Sequence, residues 1–351
     1  MSDDLLAHHD VLLADLDGTL YRGREAIPGA VEAVADAAER GVRTVYVTNN
    51  ASRRPVEVAT HLAELGFPAR ADDVATSAQA GAALLAERLP AGAPVLVVGT
   101  DALVEEVRAV GLTITTTAAE AAAVVQGHSP DTGWRLLADA CVALRAGAVW
   151  VACNLDPTLP TERGPLPGNG SMVAALRTAT GREPLVAGKP APTLMTGAAR
   201  RTGARSALMV GDRLDTDVEG GRAAGLTTLL VLTGISDGAE LLAAPPALRP
   251  DLIGADLGAL RSRPDELAPG PRPGWAVTTN GHGLVLAATA PGADVLDALR
   301  ALSAEHWARG GGPANVRAAD DTAAAALRAV GLDGHAPASA TVVDTGTGRS
   351  S

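Results

Sequence analysis

Residues 11–19 read VLLADLDGT: an apolar run leads directly into two acidic residues, Asp15 and Asp17, and then Gly18. Further apolar runs stand at 44–47 (TVYV), 206–210 (SALMV) and 227–232 (TTLLVL), and Ala-rich segments of helical period occupy 28–40, 55–65, 101–110, 172–180 and 191–202. Short, near-continuous apolar runs are typical of strands buried on both faces of a parallel sheet. Their alternation with helices predicts an α/β fold with a doubly wound parallel sheet.

Polar residues follow three of these runs. Asp15 follows the first run, Thr48 the second, and Asp212 comes one residue after the run at 206–210. Ligands of open α/β sheets bind outside the carboxyl ends of the strands. We therefore expect these three side chains to meet in one crevice, although they are far apart in the sequence.

The composition restricts what that crevice binds. The 351 residues are enough for two or three domains of ~100–200 residues each. The chain is 47% apolar but only 2% aromatic, so the cores must consist of Ala, Val and Leu, and aromatic platforms for stacking bases are nearly excluded. The formal net charge of −11 argues against nucleic-acid binding. A small phosphorylated substrate is compatible with this charge, because a bound cation reverses the local field.

Cysteine spacing and the first residues bear on location. Cys141 and Cys153 match no metal or redox spacing and fit a reducing cytosol. Residues 1–4 lack the basic start of a signal peptide, and no uninterrupted apolar stretch reaches the ~18 residues of a membrane span. We therefore expect a cytoplasmic protein with no membrane partner.

Asp15 and Asp17 are the first candidates for catalysis. Two carboxylates two positions apart, on a loop that leaves a strand, can point at one site, and Gly18 permits a sharp turn there. One carboxylate can attack phosphorus and form an aspartyl-phosphate, while the other acts as general acid and then as general base. The alternative is an ordinary acidic turn at the end of a strand.

Further positions carry groups that suit the same chemistry. Asp212 can ligate a hard cation, and Asp217 can order the loop or bind a metal-bound water. Thr48 and the backbone N–H groups that follow it, at Asn49 for example, can hold phosphate oxygens, and Lys189 can neutralise phosphate charge in the transition state. Each also has a structural alternative: an acidic turn at a helix start, a helix N-cap or a solvated lysine.

In their order along the chain, Asp15-x-Asp17-Gly18-Thr19, Thr48, Lys189 and Gly211-Asp212 with Asp217 resemble the four motifs of the haloacid dehalogenase (HAD) superfamily. The resemblance covers about residues 10–260 and implies a Rossmann-like core. It implies that Asp15 is the nucleophile and Asp17 the acid and base, an aspartate that dehalogenases lack. It further implies that Mg²⁺ is held by Asp15, the carbonyl oxygen of Asp17 and Asp212, and that Asp217 supports these ligands without binding the ion directly. Thr48, Asn49 and Lys189 would then surround the phosphoryl group.

The 141 positions between Thr48 and Lys189 exceed what one helix and strand require, so they predict an inserted domain. We place this cap at 78–187, with strands at 94–98, 122–126 and 148–152, between core segments 1–77 and 188–262. Its position resembles that of the α/β (C2-type) caps of HAD phosphatases. Residues 154–160 (NLDPTLP) and 167–171 (PGNGS) resemble the conserved stretch of those caps.

Three residues of that stretch, Asn154, Asp156 and Leu159, are the candidates for substrate specificity. Pyridoxal phosphatases of this group carry His at the place of Leu159, whereas glycerol-phosphate and phosphoglycolate phosphatases carry Leu. Together with the scarcity of aromatic residues, this favours a small aliphatic phosphate as substrate. The alternative is that Leu159 only packs the loop.

The composition changes at 263–274 (RPDELAPGPRPG), which predicts a linker. Beyond it we expect a small α+β domain at 275–344, with a hairpin around Asn280-Gly281 and helices at 293–308 and 320–330, and a disordered tail at 345–351. This three-part order resembles a bacterial group of HAD phosphatases, the glycerol 3-phosphate phosphatases, which end in a truncated GNAT-like (acetyltransferase-like) domain. Because Gly310-Gly311-Gly312 lacks the spacing of an acetyl-CoA loop, we expect no acetyl transfer.

The resemblance thus implies a Mg²⁺-dependent phosphoric monoester hydrolase that acts on glycerol 3-phosphate. Two alternatives stay open within enzymes: a phosphoglycolate phosphatase and a broad-specificity sugar-phosphate or 4-nitrophenyl phosphatase. A regulatory or assembly protein that acts through the C-terminal domain is the alternative of a different class. The expected partner is a small phosphomonoester, and assembly into a homo-oligomer is left open.

Overall fold

The computed structural model describes residues 3–159, 161, 163–280 and 283–332. Its strands are β1 (Val11–Ala14), β2 (Tyr21–Arg22), β3 (Glu25–Ala26), β4 (Arg43–Thr48), β5 (Val74–Thr76), β6 (Pro94–Val98), β7 (Thr113–Ile114), β8 (Ala123–Gln126), β9 (Val149–Ala152), β10 (Thr158–Leu159), β11 (Leu166–Pro167), β12 (Leu185–Val186), β13 (Ala207–Gly211), β14 (Thr227–Val231), β15 (Leu252–Gly254), β16 (Trp275–Asn280), β17 (Gly283–Ala288) and β18 (Val316–Ala318).

The α-helices are α1 (Leu5–His8), α2 (Ala30–Glu39), α3 (Pro55–Glu64), α4 (Ser77–Ala86), α5 (Asp101–Ala109), α6 (Trp134–Arg145), α7 (Asn169–Thr180), α8 (Thr193–Thr202), α9 (Glu219–Ala223), α10 (Gly238–Ala243), α11 (Pro264–Leu267), α12 (Val295–Ala308) and α13 (Asp321–Ala329). The helices expected at 28–40, 55–65, 101–110, 172–180 and 191–202 all form, within a few residues of the predicted ends.

The first sheet has six parallel strands in the order β15-β14-β13-β1-β4-β5. All four residues of β1 are buried, as expected for a strand in the middle of a parallel sheet. Successive residues face opposite sides: Leu12 packs with α2 and α3, whereas Leu13 packs with α8. Helices thus cover both faces, which confirms the predicted doubly wound α/β core.

The second sheet, within the segment predicted as the cap, has five parallel strands in the order β12-β9-β8-β6-β7. One face is covered by α6 and α7. There the buried side chain of Trp150 packs in a cluster that otherwise consists of Ala, Val and Leu. Side chains of the other face, such as Val95 and Val125, join the same apolar cluster as Leu13 of the first sheet. Helix α4 contributes Leu85 to this shared cluster.

The segment at 263–274, expected to be a linker, begins with an ordered element. Helix α11 spans Pro264–Leu267, and Leu267 is buried against the first sheet's apolar cluster. The domain boundaries drawn from the sequence stay a prediction, but the first residues of this proline-rich stretch are part of a packed core.

A second compact unit comprises Asp237–Pro245 and the residues from Pro269 onward. Strands β16 and β17 form the expected antiparallel pair, and β18 joins β17 in parallel. Helix α12 begins at the cap residue Asp294, whose carboxylate accepts from two backbone N–H groups. Helix α10, whose Leu241 and Leu242 are buried, belongs to this unit, although it lies within the predicted core segment 188–262.

Three expectations concern residues outside the described part of the chain. Gly281, in the expected hairpin turn, and the tail at 345–351 are not among the described residues, nor is the end of the segment 275–344. Among the helices that are described, none combines the length and apolar character needed to cross a lipid bilayer.

Candidate active site

The turn after β1 places Asp15 and Asp17 at the carboxyl end of the central strand. The Asp15 N–H donates to the carbonyl of Val210 on β13 at 2.9 Å, and the Asp15 side chain is mostly buried. Asp17 is exposed. Gly18 has φ +86°, and an added Cβ would lie 2.4 Å from Asp212 Oδ2, so the turn requires glycine on both counts. This approach brings the two acidic motifs, far apart in sequence, into one site.

Asp212, directly after β13, is completely buried. Its Oδ2 accepts from the Ile235 N–H at 2.7 Å, whereas its Oδ1 has no hydrogen-bond partner among the described residues. Burial, followed by the repulsion of Asp217 and Asp15, raises the pKa of this carboxyl. A buried carboxylate oxygen without a partner is costly unless a cation occupies it.

Asp217 lies in a π-helical turn, Leu214–Val218, that follows β13. Its Oδ2 accepts from the Arg213 N–H at 3.1 Å, and its Oδ1 accepts from Lys189 Nζ at 2.7 Å. Burial raises the pKa of Asp217, and the charge of Lys189 opposes that shift. Both oxygens of this carboxylate are therefore used within the protein.

Lys189 is 3% exposed and pairs with both Asp15 and Asp217. Burial by itself would lower the pKa of Lys189, but the attraction of the two carboxylates and their hydrogen bonds outweigh it and raise the pKa. The lysine is therefore a permanently charged ammonium beside Asp15, not the solvated surface lysine of the structural alternative.

The site fits a hard divalent cation. Carboxylate oxygens of Asp15, Asp212 and Asp217 lie within 4.8 Å of one another, and Asp212 Oδ1 points at no hydrogen-bond donor. Mg²⁺ prefers oxygen ligands and is bound through one or two carboxylates and waters. Since the oxygens of Asp217 already accept hydrogen bonds, Asp15 and Asp212 are the better placed ligands.

Thr48 and Asn49 stand at the carboxyl end of β4, as expected. Thr48 Oγ1 accepts from the Asn50 N–H at 3.1 Å. The carboxamide of Asn49 is already used: its Oδ1 accepts from the Lys189 N–H at 2.8 Å, and its Nδ2 donates to the Lys189 carbonyl at 3.0 Å. A phosphate-binding role for Asn49 can therefore rest only on its backbone N–H.

The three cap candidates lie in different surroundings. Asn154 is buried, and its Nδ2 donates to the Asn49 carbonyl at 2.7 Å, so its side chain links the cap loop to the first sheet. Asp156 is half-buried, and burial raises its pKa. Leu159 is half-buried on β10, opposite Leu166 of β11 in a short hairpin. Of the three, Asn154 has the surroundings of a structural residue.

Three family profiles match the chain. Residues 12–113 match haloacid dehalogenase-like hydrolases, residues 186–260 match HAD-hydrolase-like proteins, and residues 272–332 match the GCN5-related N-acetyltransferase-like domain. The chain is 51% identical to the D-glycerol 3-phosphate phosphatase of Mycobacterium tuberculosis over 332 residues. The match covers 91% of this chain and 93% of the relative. The chain belongs to the haloacid dehalogenase-like hydrolases.

Solved structures and other relatives agree with this membership. A glycerol phosphate phosphatase of Mycobacterium tuberculosis in complex with magnesium superposes with a TM-score of 0.89 at 51% identity, covering 95% of this chain and 100% of the other. A 5'-nucleotidase of Bacillus subtilis is 40% identical over 226 residues, which are 64% of this chain and 87% of the relative. The family and the GNAT-like C-terminal segment predicted from the sequence are thus confirmed.

Sequence reasoning missed two features of this HAD hydrolase's site. Tyr21 lies beside the turn that carries Asp15 and Asp17, and burial followed by the charges of Asp17 and Asp15 raises its pKa to about 12. The second is the set of hydrogen bonds made by the Asn49 side chain, whose partner Lys189 is 140 positions away. The position of Tyr21, four residues after Asp17, was the available signal for the first, while no local pattern signals the second.

Proposed function

We propose that this HAD hydrolase is a Mg²⁺-dependent phosphatase that converts glycerol 3-phosphate to glycerol and phosphate and accepts other small aliphatic phosphomonoesters. The observation that carries the proposal is the buried ammonium of Lys189 between Asp15 and Asp217, beside the unpartnered Oδ1 of Asp212. This arrangement places a nucleophile, Asp15, next to a fixed positive charge, Lys189, and next to an oxygen, Asp212 Oδ1, that can bind a metal ion.

In the first step the Asp15 carboxylate attacks phosphorus, and the bond from phosphorus to the ester oxygen breaks as the aspartyl-phosphate bond forms. Asp17, protonated at this stage, gives its proton to the leaving alkoxide. In the second step Asp17, now a carboxylate, takes a proton from a water that attacks the same phosphorus, and Asp15 leaves as a carboxylate. The exposure of Asp17 suits a group that exchanges protons with leaving group and water.

Lys189, Thr48 and the backbone N–H of Asn49 are proposed to hold the phosphoryl oxygens. The ammonium neutralises charge as it develops, and its fixed position avoids reorganisation during the reaction. Asp217 holds this ammonium in place through the bond at 2.7 Å.

Asp15, the carbonyl oxygen of Asp17 and Asp212 are proposed to hold Mg²⁺. When bound, the ion supplies charge neutralisation for the phosphoryl group and orients it for attack. The net charge of −11 makes such a cation necessary for an anionic substrate to approach four carboxylates.

The substrate assignment rests on the cap and on the relatives. Leu159, at the place where pyridoxal phosphatases have His, and the scarcity of aromatic side chains favour a small aliphatic leaving group over a stacked ring. The relative that is 51% identical is a D-glycerol 3-phosphate phosphatase, and the one that is 40% identical is a 5'-nucleotidase. The match to the D-glycerol 3-phosphate phosphatase covers 91% of this chain and so extends into the C-terminal segment, whereas the match to the 5'-nucleotidase covers only 64%.

A steady-state panel tests the proposal. We expect the highest kcat/KM for glycerol 3-phosphate, above phosphoglycolate, pyridoxal phosphate and UMP, and loss of turnover in EDTA or on Asp15→Asn. A preference for UMP would contradict the role given to Leu159. Turnover that survives both EDTA and Asp15→Asn would contradict the mechanism.

A further inference from the structure

The side chain of Asn49 lies where the chain passes between the first and the second sheet. The chain leaves the first sheet at Thr76, the end of β5, and returns after β12 at Lys189. On the outgoing side, the Ser77 hydroxyl donates to the Asn49 carbonyl at 2.5 Å. On the returning side, the Asn49 carboxamide binds Lys189. One residue therefore contacts both connections.

The contact with Lys189 is made to its main chain and from both directions. Asn49 Oδ1 accepts from the Lys189 N–H at 2.8 Å, and Asn49 Nδ2 donates to the Lys189 carbonyl at 3.0 Å. A lysine side chain has several rotatable bonds, so the placement of its ammonium depends on where its main chain is held. Asn49 thereby fixes the origin of the side chain whose Nζ pairs with Asp15.

The side chain of Asn49 also contacts the cap loop. Asn49 Nδ2 also donates to Asp156 Oδ2 at 3.2 Å, and the neighbouring Asn154 donates to the Asn49 carbonyl at 2.7 Å. Asp156 stands three positions before Leu159. The same carboxamide thus contacts the loop that carries the candidate specificity residue.

The packing leaves little room for another arrangement. A Cβ added to Gly188 would lie 2.6 Å from Asn49 Oδ1 and 2.4 Å from the Cys153 carbonyl. The Gly188 N–H in turn donates to that carbonyl at 2.8 Å. The returning connection is therefore held between Asn49 on one side and the residue that follows β9, Cys153, on the other.

We propose that Asn49 is a positioning residue, whose carboxamide fixes Lys189 beside Asp15 and ties that lysine to the Asp156 loop. Its side chain does not bind substrate. This inference rests on the proposed function, because Lys189 is the group assigned there to the phosphoryl oxygens. It adds a physical connection between the placement of the catalytic ammonium and the placement of the cap loop.

The side-chain contacts of Asn49 with Lys189 (the lysine arm) and with Asp156 (the cap arm) can be separated by isosteric substitutions. Asn49→Asp keeps the size and the acceptor for the Lys189 N–H but removes both donated bonds and sets a second carboxylate against Asp156. Asp156→Asn keeps an acceptor for Asn49. In the double variant, the new amide at position 156 can donate to the new carboxylate at position 49, which restores the cap arm but leaves the Lys189 carbonyl without its donor. Every variant keeps the backbone N–H at position 49.

We expect Asn49→Asp and Asn49→Ala to lower kcat roughly 10- to 100-fold for both 4-nitrophenyl phosphate and glycerol 3-phosphate, because a small displacement of a catalytic group has effects of this size. Asn49→Asp should also raise KM for glycerol 3-phosphate. Adding Asp156→Asn should return KM toward the wild-type value while kcat stays low. A general loss of stability would not produce this recovery of one parameter alone.

A kcat within about threefold of wild type for both Asn49 variants, assayed below their own Tm, would overturn the inference, since that corresponds to less than one kcal/mol. A KM that the second substitution does not improve would overturn the cap arm.

Hydrogen exchange at the Lys189 amide gives a readout independent of turnover and of the proposed function. Faster exchange is expected in Asn49→Ala, and unchanged exchange contradicts the role. Where Asn49→Ala does not fold, the kcat and KM of Asn49→Asp carry the test, because this variant keeps the acceptor for the Lys189 N–H and its amide exchange is not informative. Where neither folds, the remaining arm is tested by Asp156→Ala, which keeps both bonds to Lys189 and should change KM more than kcat; an equal loss of both would count against the inference. Failure of the phosphatase proposal is recognised separately, by a wild-type protein without Mg²⁺-dependent turnover.

Discussion

The ammonium of Lys189 donates to Oδ1 of Asp217 at 2.7 Å, and both side chains are almost completely buried, at 3% and 1% exposure. The same ammonium also contacts Asp15. Asp217 therefore supplies a fixed counter-charge from behind, which keeps Lys189 charged and directed at the Asp15 side of the site. We therefore expect Asp217 to matter for both stability and turnover, although both of its carboxylate oxygens already accept hydrogen bonds.

Asp217→Ala is expected to lower the free energy of unfolding by about 1.5–3 kcal/mol, because the buried ammonium of Lys189 loses one of its two charge-assisted hydrogen bonds and keeps only Asp15 as a counter-charge. It should also lower kcat, since Lys189 loses its fixed position. Urea unfolding and steady-state kinetics measure the two effects. Asp215→Ala is the matched control: its carboxylate is exposed and pairs with Arg213 at 2.8 Å. Surface substitutions of this kind change stability by about 0.5 kcal/mol or less, so an equal loss in both variants would contradict the role of Asp217.

Asp15→Asn and Asp17→Asn should fail at different steps. Without Asp15 no covalent intermediate forms. Without Asp17 the water is not activated, so kcat should fall by about 10²–10⁴-fold and the aspartyl-phosphate should accumulate with a good leaving group such as 4-nitrophenol. Mass spectrometry of the quenched protein detects one added phosphoryl group in Asp17→Asn only. Asp72→Asn, an exposed acidic residue on a 3₁₀ turn before β5, controls for loss of a surface charge. A phosphoryl adduct in Asp15→Asn would exclude Asp15 as nucleophile.

The parts of the fold that the sequence predicted are those that a local pattern determines. β1 and β4 appear as apolar runs because both of their faces are buried, and the acidic turn after β1 follows from its own residues. The edge strands β5 and β15 have three residues each, which is too short for such a pattern. The location of α10 and the hydrogen bonds of Asn49 depend on partners brought together only by folding, and no local signal specifies them.

Gly18→Ala should be more damaging than a positive φ alone explains. An added Cβ would lie 2.4 Å from Asp212 Oδ2, so the substitution would displace the Asp212 carboxylate, whose Oδ1 is a candidate Mg²⁺ ligand. Gly41→Ala is a matched control, since Gly41 has φ +80° against +86° for Gly18 but no atom within 4 Å of the added carbon. Each should lose about 1–3 kcal/mol from backbone strain. Only Gly18→Ala should raise the Mg²⁺ concentration needed for half-maximal turnover.

The two cysteines should differ in reactivity. Burial raises the pKa of the Cys153 thiol to about 12, and thiolates are the reactive form. Cys141 lies half-buried on α6. In native protein a thiol reagent should label Cys141 and spare Cys153, and in urea it should label both. Rapid native labelling of a Cys141→Ser variant would show that the segment around Cys153, next to the returning connection at Gly188, opens readily.

The residues from Pro269 onward, which form the C-terminal part of the second unit, should be dispensable for hydrolysis, but they should be needed to keep the apolar side chains of α10 buried. Asp15, Asp17, Lys189 and Asp212 all belong to the first unit, so a chain that ends after Ala268 should retain Mg²⁺-dependent hydrolysis of 4-nitrophenyl phosphate. In the full chain, Leu241 and Leu242 of α10 are buried within the second unit, where the Leu242 carbonyl accepts from Trp307 Nε1 at 3.2 Å. Truncation exposes this apolar helix, and we expect aggregation that Leu241→Ser with Leu242→Ser relieves. Size-exclusion chromatography with activity measured across the peak distinguishes the outcomes: a monodisperse, folded truncated chain without turnover would mean that the C-terminal unit contributes to the active site.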